Sequence, residues 1–370
     1  MKRRLPLGSR LDRYVLAHFI ASYASALGLL LGLFLVLDMA SNLDDWLEPW
    51  ADGSTVERGV IGRYYLMQLP FFYLQLAPFV TLLAGMFTVN KLLRKNEVVA
   101  MLGAGLGVLR TMLPVYIAGA LLAVGMFGLR EWVGHGLTEK RDALVHRLEK
   151  QGAQRELENV AIRDLSGSMV LLDRYLPEPA GGGPPTAEGL TLLLRQDGTF
   201  LRVQATRAEW DGGRFRLVDG WRESVSRGDG EAQGEPVEVL EGFELTPEVI
   251  SASHRLTREP LDMSFSEVGR MIERAPDDPG LLTLWHYQLT FPLANLVLLL
   301  VGLPVMFSYE RGRGTERMAL GGLVCVFYFA ADFVLRSMGL AGGLDPVWAA
   351  WLPVLAFGSL GMVLTEGVRT

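Results

Sequence analysis

Long apolar runs alternate with polar segments along the chain, and the lengths of those runs decide its class. A membrane span needs about 20 mostly apolar residues, because roughly 30 Å of hydrocarbon is crossed at about 1.5 Å per residue. Six segments qualify, roughly 14–37, 65–90, 111–133, 285–307, 317–337 and 347–365. Pro70 and Pro78 interrupt the second, and Pro292 and Pro304 the fourth. Both are expected to be kinked helices whose freed carbonyls are shielded by neighbouring helices. The first run passes 20 residues without a small-residue cleavage site, which reads as a retained helix and not a removed signal peptide.

Between the third and fourth runs the pattern changes. Residues 135–158 are charged (Glu139, Lys140, Arg141, Arg147, Glu149, Lys150) and read as a solvated helical continuation of the third span. From about 160 the period becomes two, with strand-like runs at 168–175, 190–195, 199–208, 214–219 and 237–245. Asp197-Gly198 and Asp211-Gly212-Gly213 supply turns between them. Short strands at this spacing predict a small antiparallel sandwich or jelly roll. Two inserts, 177–189 and 226–236, read as flexible surface loops. A polar stretch at 262–280 leads back to the membrane, with a short helix expected at 265–274 capped by Ser264. The predicted fold is six transmembrane helices with an all-β domain between the third and fourth. Its parts are 1–134 with helices one to three and a short cytoplasmic helix near 94–105, the outer domain at 135–283, and helices four to six at 284–370.

Composition agrees. Of 370 residues 50% are hydrophobic and only 21% charged. More than half of the charged side chains fall in 135–283, 27 acidic against 18 basic. A net charge of −6 leaves no basic field for nucleic acid. The single cysteine, Cys325, lies in an apolar run and excludes an intrachain disulfide or a cysteine metal site. No phosphate-loop, zinc-protease or C-x-x-C motif occurs, and no metal or cofactor is expected. His135, His146 and His254 have no ligand partners at metal spacing and read as structural.

Positive charge orients the spans. Lys2, Arg3, Arg4, Arg10 and Arg13 precede the first against Asp12 alone. Loop 38–63 is acidic (Asp38, Asp44, Asp45, Glu48, Asp52, Glu57), with only Arg58 and Arg63 opposing. Loop 91–110 is basic again, as is the loop with Arg311, Arg313 and Arg317. Both termini are therefore expected in the cytoplasm and the β-domain outside.

Three constellations could carry function. Ser9-x-x-Asp12 has capping-box spacing and starts the first helix. In the segment Lys91 to Gly103, Asn96 is placed to cap a short helix and Glu97 sits in its first turn, where a carboxylate favours the positive helix end. Val98, Val99, Met101 and Leu102 give that helix an apolar face. It reads either as an interfacial helix in the headgroups or as a docking helix for a cytosolic partner, with Glu97 its charged contact. The third group lies near the outer span ends. Asp332 and Arg336 form an i,i+4 pair that reads as structural, or Arg58, Arg63, Arg130 and Arg336 ring a cavity mouth and meet lipid phosphates.

The order of elements and six strings carry a resemblance. They are LDRYVLAHFIASY at 11–23, the stretch from Pro70 through LAPFVTLLAGMFTVNKLLRKNEVVAMLGAGLGVLR to 110, VQATRAEWDGGRFRLVDGW at 203–221, PLDMSFSEV at 260–268, FPLANLVLLLVGLP at 291–304 and DPVWAAWLP at 345–353. The chain resembles the LptF/LptG family of lipopolysaccharide-export permeases, with LDRY and Tyr328-x-x-x-Asp332 leaning towards LptG. The resemblance implies a non-enzymatic permease subunit of the bacterial inner membrane. Its implied partners are an LptB-like cytosolic ATPase dimer, an LptF-like paralogue, an LptC-like periplasmic bridge protein and lipopolysaccharide. It implies an ATPase-coupling segment at Arg94, Asn96, Glu97, Val98 and Met101, and a β-domain that is a periplasmic jelly roll. Leu37-Asp38-Met39 departs from members of the LptG type, which often have a basic residue at the outer end of the first span; lipid contact at that end must differ or a cation must bridge it. His286-Tyr287-Gln288 also lacks the family's frequent basic residue. The alternatives are an ABC permease for another envelope lipid or a lipoprotein, and a non-transporting scaffold or sensor.

Overall fold

The computed structural model describes residues 9–47, 58–134, 136–149, 156–163, 168–177, 183–196, 199–225, 234–239, 245–247, 249–251, 253, 262–307 and 314–367. The chain divides into two compact units. One comprises Met1–Asp44, Tyr65–His135 and Pro279–Thr370, the other Asp45–Tyr64 and Gly136–Asp278.

The first unit is helical. Its helices are α1 (Arg10–Leu47), α2 (Arg58–Arg94), the short α3 (Glu97–Gly103) and α4 (Val108–Gly134), then, after the second unit's α5 (Leu137–Glu149) and α6 (Phe265–Arg274), α7 (Pro279–Met306), α8 (Gly314–Leu340) and α9 (Pro346–Gly367). Among the described residues six of these, α1, α2, α4, α7, α8 and α9, are long and apolar enough to cross a membrane. Helix α1 runs to Leu47 and α2 starts at Arg58. Asp38, Asp44 and Asp45 are therefore helical, and the acidic loop is shorter than its hydropathy suggested, because hydrogen bonding continues after the apolar run ends. Glu48, Asp52 and Glu57 lie outside the described residues, as do Lys2, Arg3, Arg4, Arg311 and Arg313.

Packing divides the spans unequally. The apolar windows of α2 and α7 are each 72% buried, that of α8 22%, and that of α1 only 6%. Lipid tails give apolar side chains no reason to leave them, so tight contact comes from small residues that let backbones approach. Leu299 of α7 is fully buried, and a Cβ at Gly85 or Gly119 would stand 2.6 or 2.5 Å from its methyls. The predicted prolines all sit inside helices, joined by Pro114 and Pro353. Behind Pro292, Asn295 is fully buried and satisfied: its amide donates to the Pro292 carbonyl at 2.9 Å, and its oxygen accepts from Thr81 at 2.7 Å.

Tryptophans mark one end of the bundle. Trp132 closes α4, Trp285 lies in the second turn of α7, and Trp348 opens α9; Trp132 and Trp348 are largely exposed. Amphipathic indoles concentrate at membrane interfaces.

The second unit holds one antiparallel sheet. Its strands are β1 (Leu157–Arg163), β2 (Met169–Leu176), β3 (Thr186–Gln196), β4 (Thr199–Trp210), β5 (Phe215–Val218), β6 (Trp221–Val225) and β7 (Glu235–Pro236). The order is β1-β2-β3-β4-β6-β7, with β5 also on β4. Three expectations are corrected. The helix expected at 135–158 is α5 and ends at Glu149, because Leu157, Val160 and Ile162 all face the sheet core and draw that segment into β1. The insert at 177–189 contributes Thr186–Gly189 to β3 and that at 226–236 contributes β7; their residues 178–182 and 226–233 lie outside the described residues. Of the strand expected at 237–245, residues 240–244 lie outside the described residues, and among the others Val239 forms an isolated bridge with Arg216. His135 and His254, and the side chain of His146, are outside the described residues.

A crease crosses the sheet. The ladders omit Asn159 opposite Asp173, Asp173 opposite Gly189, and Gly189 opposite Thr206, while the register on both sides is unchanged. The same line separates β5 from β6 at Asp219-Gly220. Asn159, Gly189 and Asp219 all have positive φ. On each strand two consecutive outward residues lie between buried ones: Leu157 and Val160, Leu172 and Tyr175, Ala187 and Leu190, Ala205 and Ala208, Leu217 and Gly220. Stepping the alternation by one residue on every strand keeps one apolar face continuous while the sheet bends. Helix α6 occupies the predicted 265–274, with a full capping box between Ser264 and Glu267.

Candidate functional site

Two places in the helical unit hold most of the residues the sequence singled out. The first is the end of the bundle where α1, α3 and α4 meet. Arg94 ends α2 and is exposed. Asn96 follows in the left-handed conformation, with φ of 56°. It stands at the N-cap of α3 but makes no side-chain cap bond, which corrects the expected capping role. Its contribution is the turn itself, since Asn tolerates positive φ better than most residues. Val98 also differs from expectation: it is buried with Val15, Phe19 and Met112 in the bundle core, and Met101 packs against that core. The face left open is Val99 and Leu102, because a helix spaces its residues 100° apart and cannot present all four in one direction.

Glu97 is not a free charge. The Tyr14 hydroxyl stands 2.9 Å from each carboxylate oxygen, and the Lys95 ammonium 3.8 Å from one of them. One proton shared between two oxygens leaves most of the acceptor capacity of Glu97 unused, and its side chain is a quarter exposed. Beside this contact Arg110 grips Asp12 at 2.6 and 3.0 Å. Asp12 also closes the expected capping box, accepting from the Ser9 amide at 3.0 Å while its own amide donates to the Ser9 hydroxyl at 3.3 Å. An apolar groove of about 390 Å³ lies between α1 and α3, lined by Leu11, Tyr14, Glu97, Ala100, Met101 and Leu106 among others. Sequence reading missed Tyr14 and Arg110, since nothing along the chain signals a contact across 83 or 98 residues.

The second place is near the tryptophan-bearing end. Asp332 and Arg336 of α8 lie 3.7 Å apart, and both are largely buried. The Arg336 guanidinium also stacks on the Tyr287 ring, 4.4 Å from its centroid, and Arg130 lies 5.3 Å from that of Phe291. Tyr287 and Phe291 are neighbours on α7, their rings tilted by 35° with centroids 5.2 Å apart, so Arg130 and Arg336 approach the same short stretch of that helix. Charges there keep company with aromatic faces and each other because lone charges in hydrocarbon are costly. Arg58 and Arg63 belong to the other unit. Arg63 is exposed, and Arg58 opens α2. At the end of α1, one carboxylate oxygen of Asp38 is buried without a hydrogen-bond partner among the described residues. No group of three or more His, Cys, Asp or Glu that could hold a metal occurs among the described residues.

Outside the spans, among the described residues, one carboxylate is perturbed. Asp211 in the β4–β5 turn accepts the amides of Arg214 at 2.9 Å and Gly213 at 3.1 Å. These bonds, first that from Arg214, hold its pKa below the usual carboxylate value.

Six spanning helices with a β-sheet domain between the third and fourth define a multi-pass membrane protein. A family model described as the lipopolysaccharide export system permease LptF/LptG matches residues 13–366, and the chain belongs to that family. No curated relative matches the chain.

Proposed function

We propose that the chain is a permease subunit of an ATP-driven exporter that extracts lipopolysaccharide from the bacterial inner membrane and hands it to a periplasmic bridge. ATP hydrolysis belongs to a separate LptB-like ATPase dimer that docks on α3, and an LptF-like paralogue completes the transmembrane pair, this chain taking the LptG-like part. The alternation of Lys and Arg between loops supports cytoplasmic termini and a periplasmic β-domain, in which an LptC-like protein would meet a jelly-roll face.

The observation that carries the reading is the surface of α3. Val99 and Leu102 are exposed on a short helix that Val98 fastens to the bundle core, and Glu97 stands at the near end with unused acceptor sites. An apolar pair beside a charge, on a helix that cannot move away from the bundle, is what a motor needs to push a membrane domain. For the cargo, Arg130 and Arg336 are the candidate phosphate contacts, with Arg58 and Arg63 as further candidates. Guanidinium groups pair with phosphate through two parallel bonds.

The test is purification of the tagged chain from its native membranes in mild detergent, with Glu97→Lys alongside. The expected result is an ATPase and a related six-span permease with the wild type, and loss of the ATPase alone with Glu97→Lys. Wild type recovered without any ATPase, under conditions that preserve other transporters, would favour a scaffold or sensor. Another bound lipid would favour an exporter of different cargo.

A further inference from the structure

We propose that Tyr14, with the Asp12–Arg110 pair beside it, ties the inner end of α1 to α3, so that α1 and the docking helix move as one body. This rests on the coupling reading of α3, and names the part of the bundle that docking would move. Tyr14 and Arg110 are positioning residues in this scheme.

The packing of α1 is the first support. Its inner end is held firmly: Asp12, Val15 and Phe19 are all buried, and Val15 and Phe19 share a core cluster with Val98 of α3. Further along, one face touches α2, with Ala26 against Leu76 and Val80 and Phe34 edge-on to Phe72, while Leu29, Leu33, Val36 and Leu37 are exposed. A helix fixed by directed polar bonds at one end, and beyond it by apolar contacts on one face alone, can tilt about that end. Helix α1 has 38 residues, so it is about 57 Å long and a tilt of about 5° carries its far end about 5 Å.

The second support is what forms the grip. Tyr14 reaches Glu97 across the apolar groove between α1 and α3, donating to a carboxylate on the first residue of the docking helix. Two residues earlier, Asp12 is bound bidentately to Arg110 in the first turn of α4, the helix that follows α3 after a short link. The grip on α1 therefore has one contact on each side of that link. Paired guanidinium–carboxylate bonds fix orientation as well as distance. A shift of α3 cannot leave α1 behind without breaking the Tyr14 contact, and one point of contact alone would allow the helix to swivel.

Two measurements on the full chain test this. The first is hydrogen exchange on the purified chain in detergent, which needs no ATPase. Tyr14→Phe is expected to speed exchange at 97–103, and Glu97→Met, which leaves no acceptor for the Tyr14 hydroxyl, to speed it at 10–19, each by about fivefold. That is the scale of losing one partly exposed hydrogen bond to a charged group. Because both changes remove the same bond, the double variant should show no more than either alone. Effects confined to the substituted helix, or effects that add, overturn the tie. The second places spin labels at Leu33 and Leu121, both exposed, in complex recovered through the ATPase, so that every molecule read has it bound. The nucleotide-dependent change in their separation is expected to fall by about half or more in Tyr14→Phe. A wild-type response in that variant overturns the proposal even if the exchange result holds. Loss of the ATPase from wild type would instead count against the coupling reading, and the exchange measurement would still decide the tie.

Discussion

Arg110 holds Asp12 through two short bonds, 2.6 and 3.0 Å, joining the first turn of α4 to the first turn of α1. The same Asp12 caps its own helix through Ser9. One carboxylate thus starts a helix and anchors it. Removing it with Asp12→Ala is expected to cost about 2–4 kcal/mol, a charge-assisted pair and a cap together. Arg110→Met, which spares the cap, should cost less. The midpoint of thermal unfolding in detergent ranks the two variants. Equal losses would mean that the cap contributes nothing.

Glycine packing gives a matched pair of substitutions on α4. At Gly119 a Cβ would lie 2.5 Å from a Leu299 methyl, whereas at Gly125 nothing lies within 4 Å. Gly119→Leu should destabilise the bundle by about 1–3 kcal/mol through overpacking, and Gly125→Leu should be close to neutral. Thermal unfolding of both variants in one detergent checks the contrast.

The crease makes its own demand at Gly189. Its φ is +65°, and an added Cβ would come within 2.1 Å of the Asp173 carboxylate. Gly189→Ala is expected to destabilise the sheet through clash and backbone strain together. Gly189→Ala with Asp173→Ala removes the overlap with the carboxylate but keeps the Asp173 Cβ 2.8 Å away, so it relieves part of the clash and leaves the strain, about 1–2 kcal/mol. Protease resistance of the β-domain in the intact chain should therefore rank wild type, then the double variant, then Gly189→Ala.

Asp332 and Arg336 separate a structural pair from a lipid contact. Replacing Asp332 with Leu leaves a largely buried guanidinium without its nearest carboxylate, an expected loss of about 3–5 kcal/mol. Asp332→Leu with Arg336→Leu should recover most of that stability. If the guanidinium also binds phosphate, the double variant will be stable yet lose co-purifying lipopolysaccharide, measured by mass spectrometry. Full lipid retention would leave the pair a structural role only.

Acid should act on the β4–β5 turn through Asp211. Its folded pKa lies below the ordinary value of 3.8 because amides donate to the charged form. A lowered folded pKa adds stability that is fully present above the unfolded value and is lost as pH falls through the folded one. The stability gap between wild type and Asp211→Ala should thus be constant from neutrality down to about pH 4 and close below it. Carboxyl NMR titration of Asp211 reads the shift directly; a midpoint at or above 3.8 would contradict the turn's hydrogen bonding.

Hydropathy alone determined the number and place of the spans, since crossing hydrocarbon requires a length of apolar chain that nothing else in the sequence imitates. Local chemistry likewise determined the Ser9 and Ser264 capping boxes and the Asp211 turn, whose partners lie within three residues. Tertiary structure decided what distance along the chain conceals. It turned Val98 inward and left Val99 and Leu102 outside, gave Asn96 a backbone role in place of a cap, and set Tyr14 on Glu97 and Arg110 on Asp12. It also stepped the alternation of five strands at one crease, which defeated a strict period of two at 157–160 and drew β3 into a segment rich in glycine and proline. Periodicity is a property of one element, whereas a crease, a buried ion pair and a tie between helices are properties of two or more elements packed together.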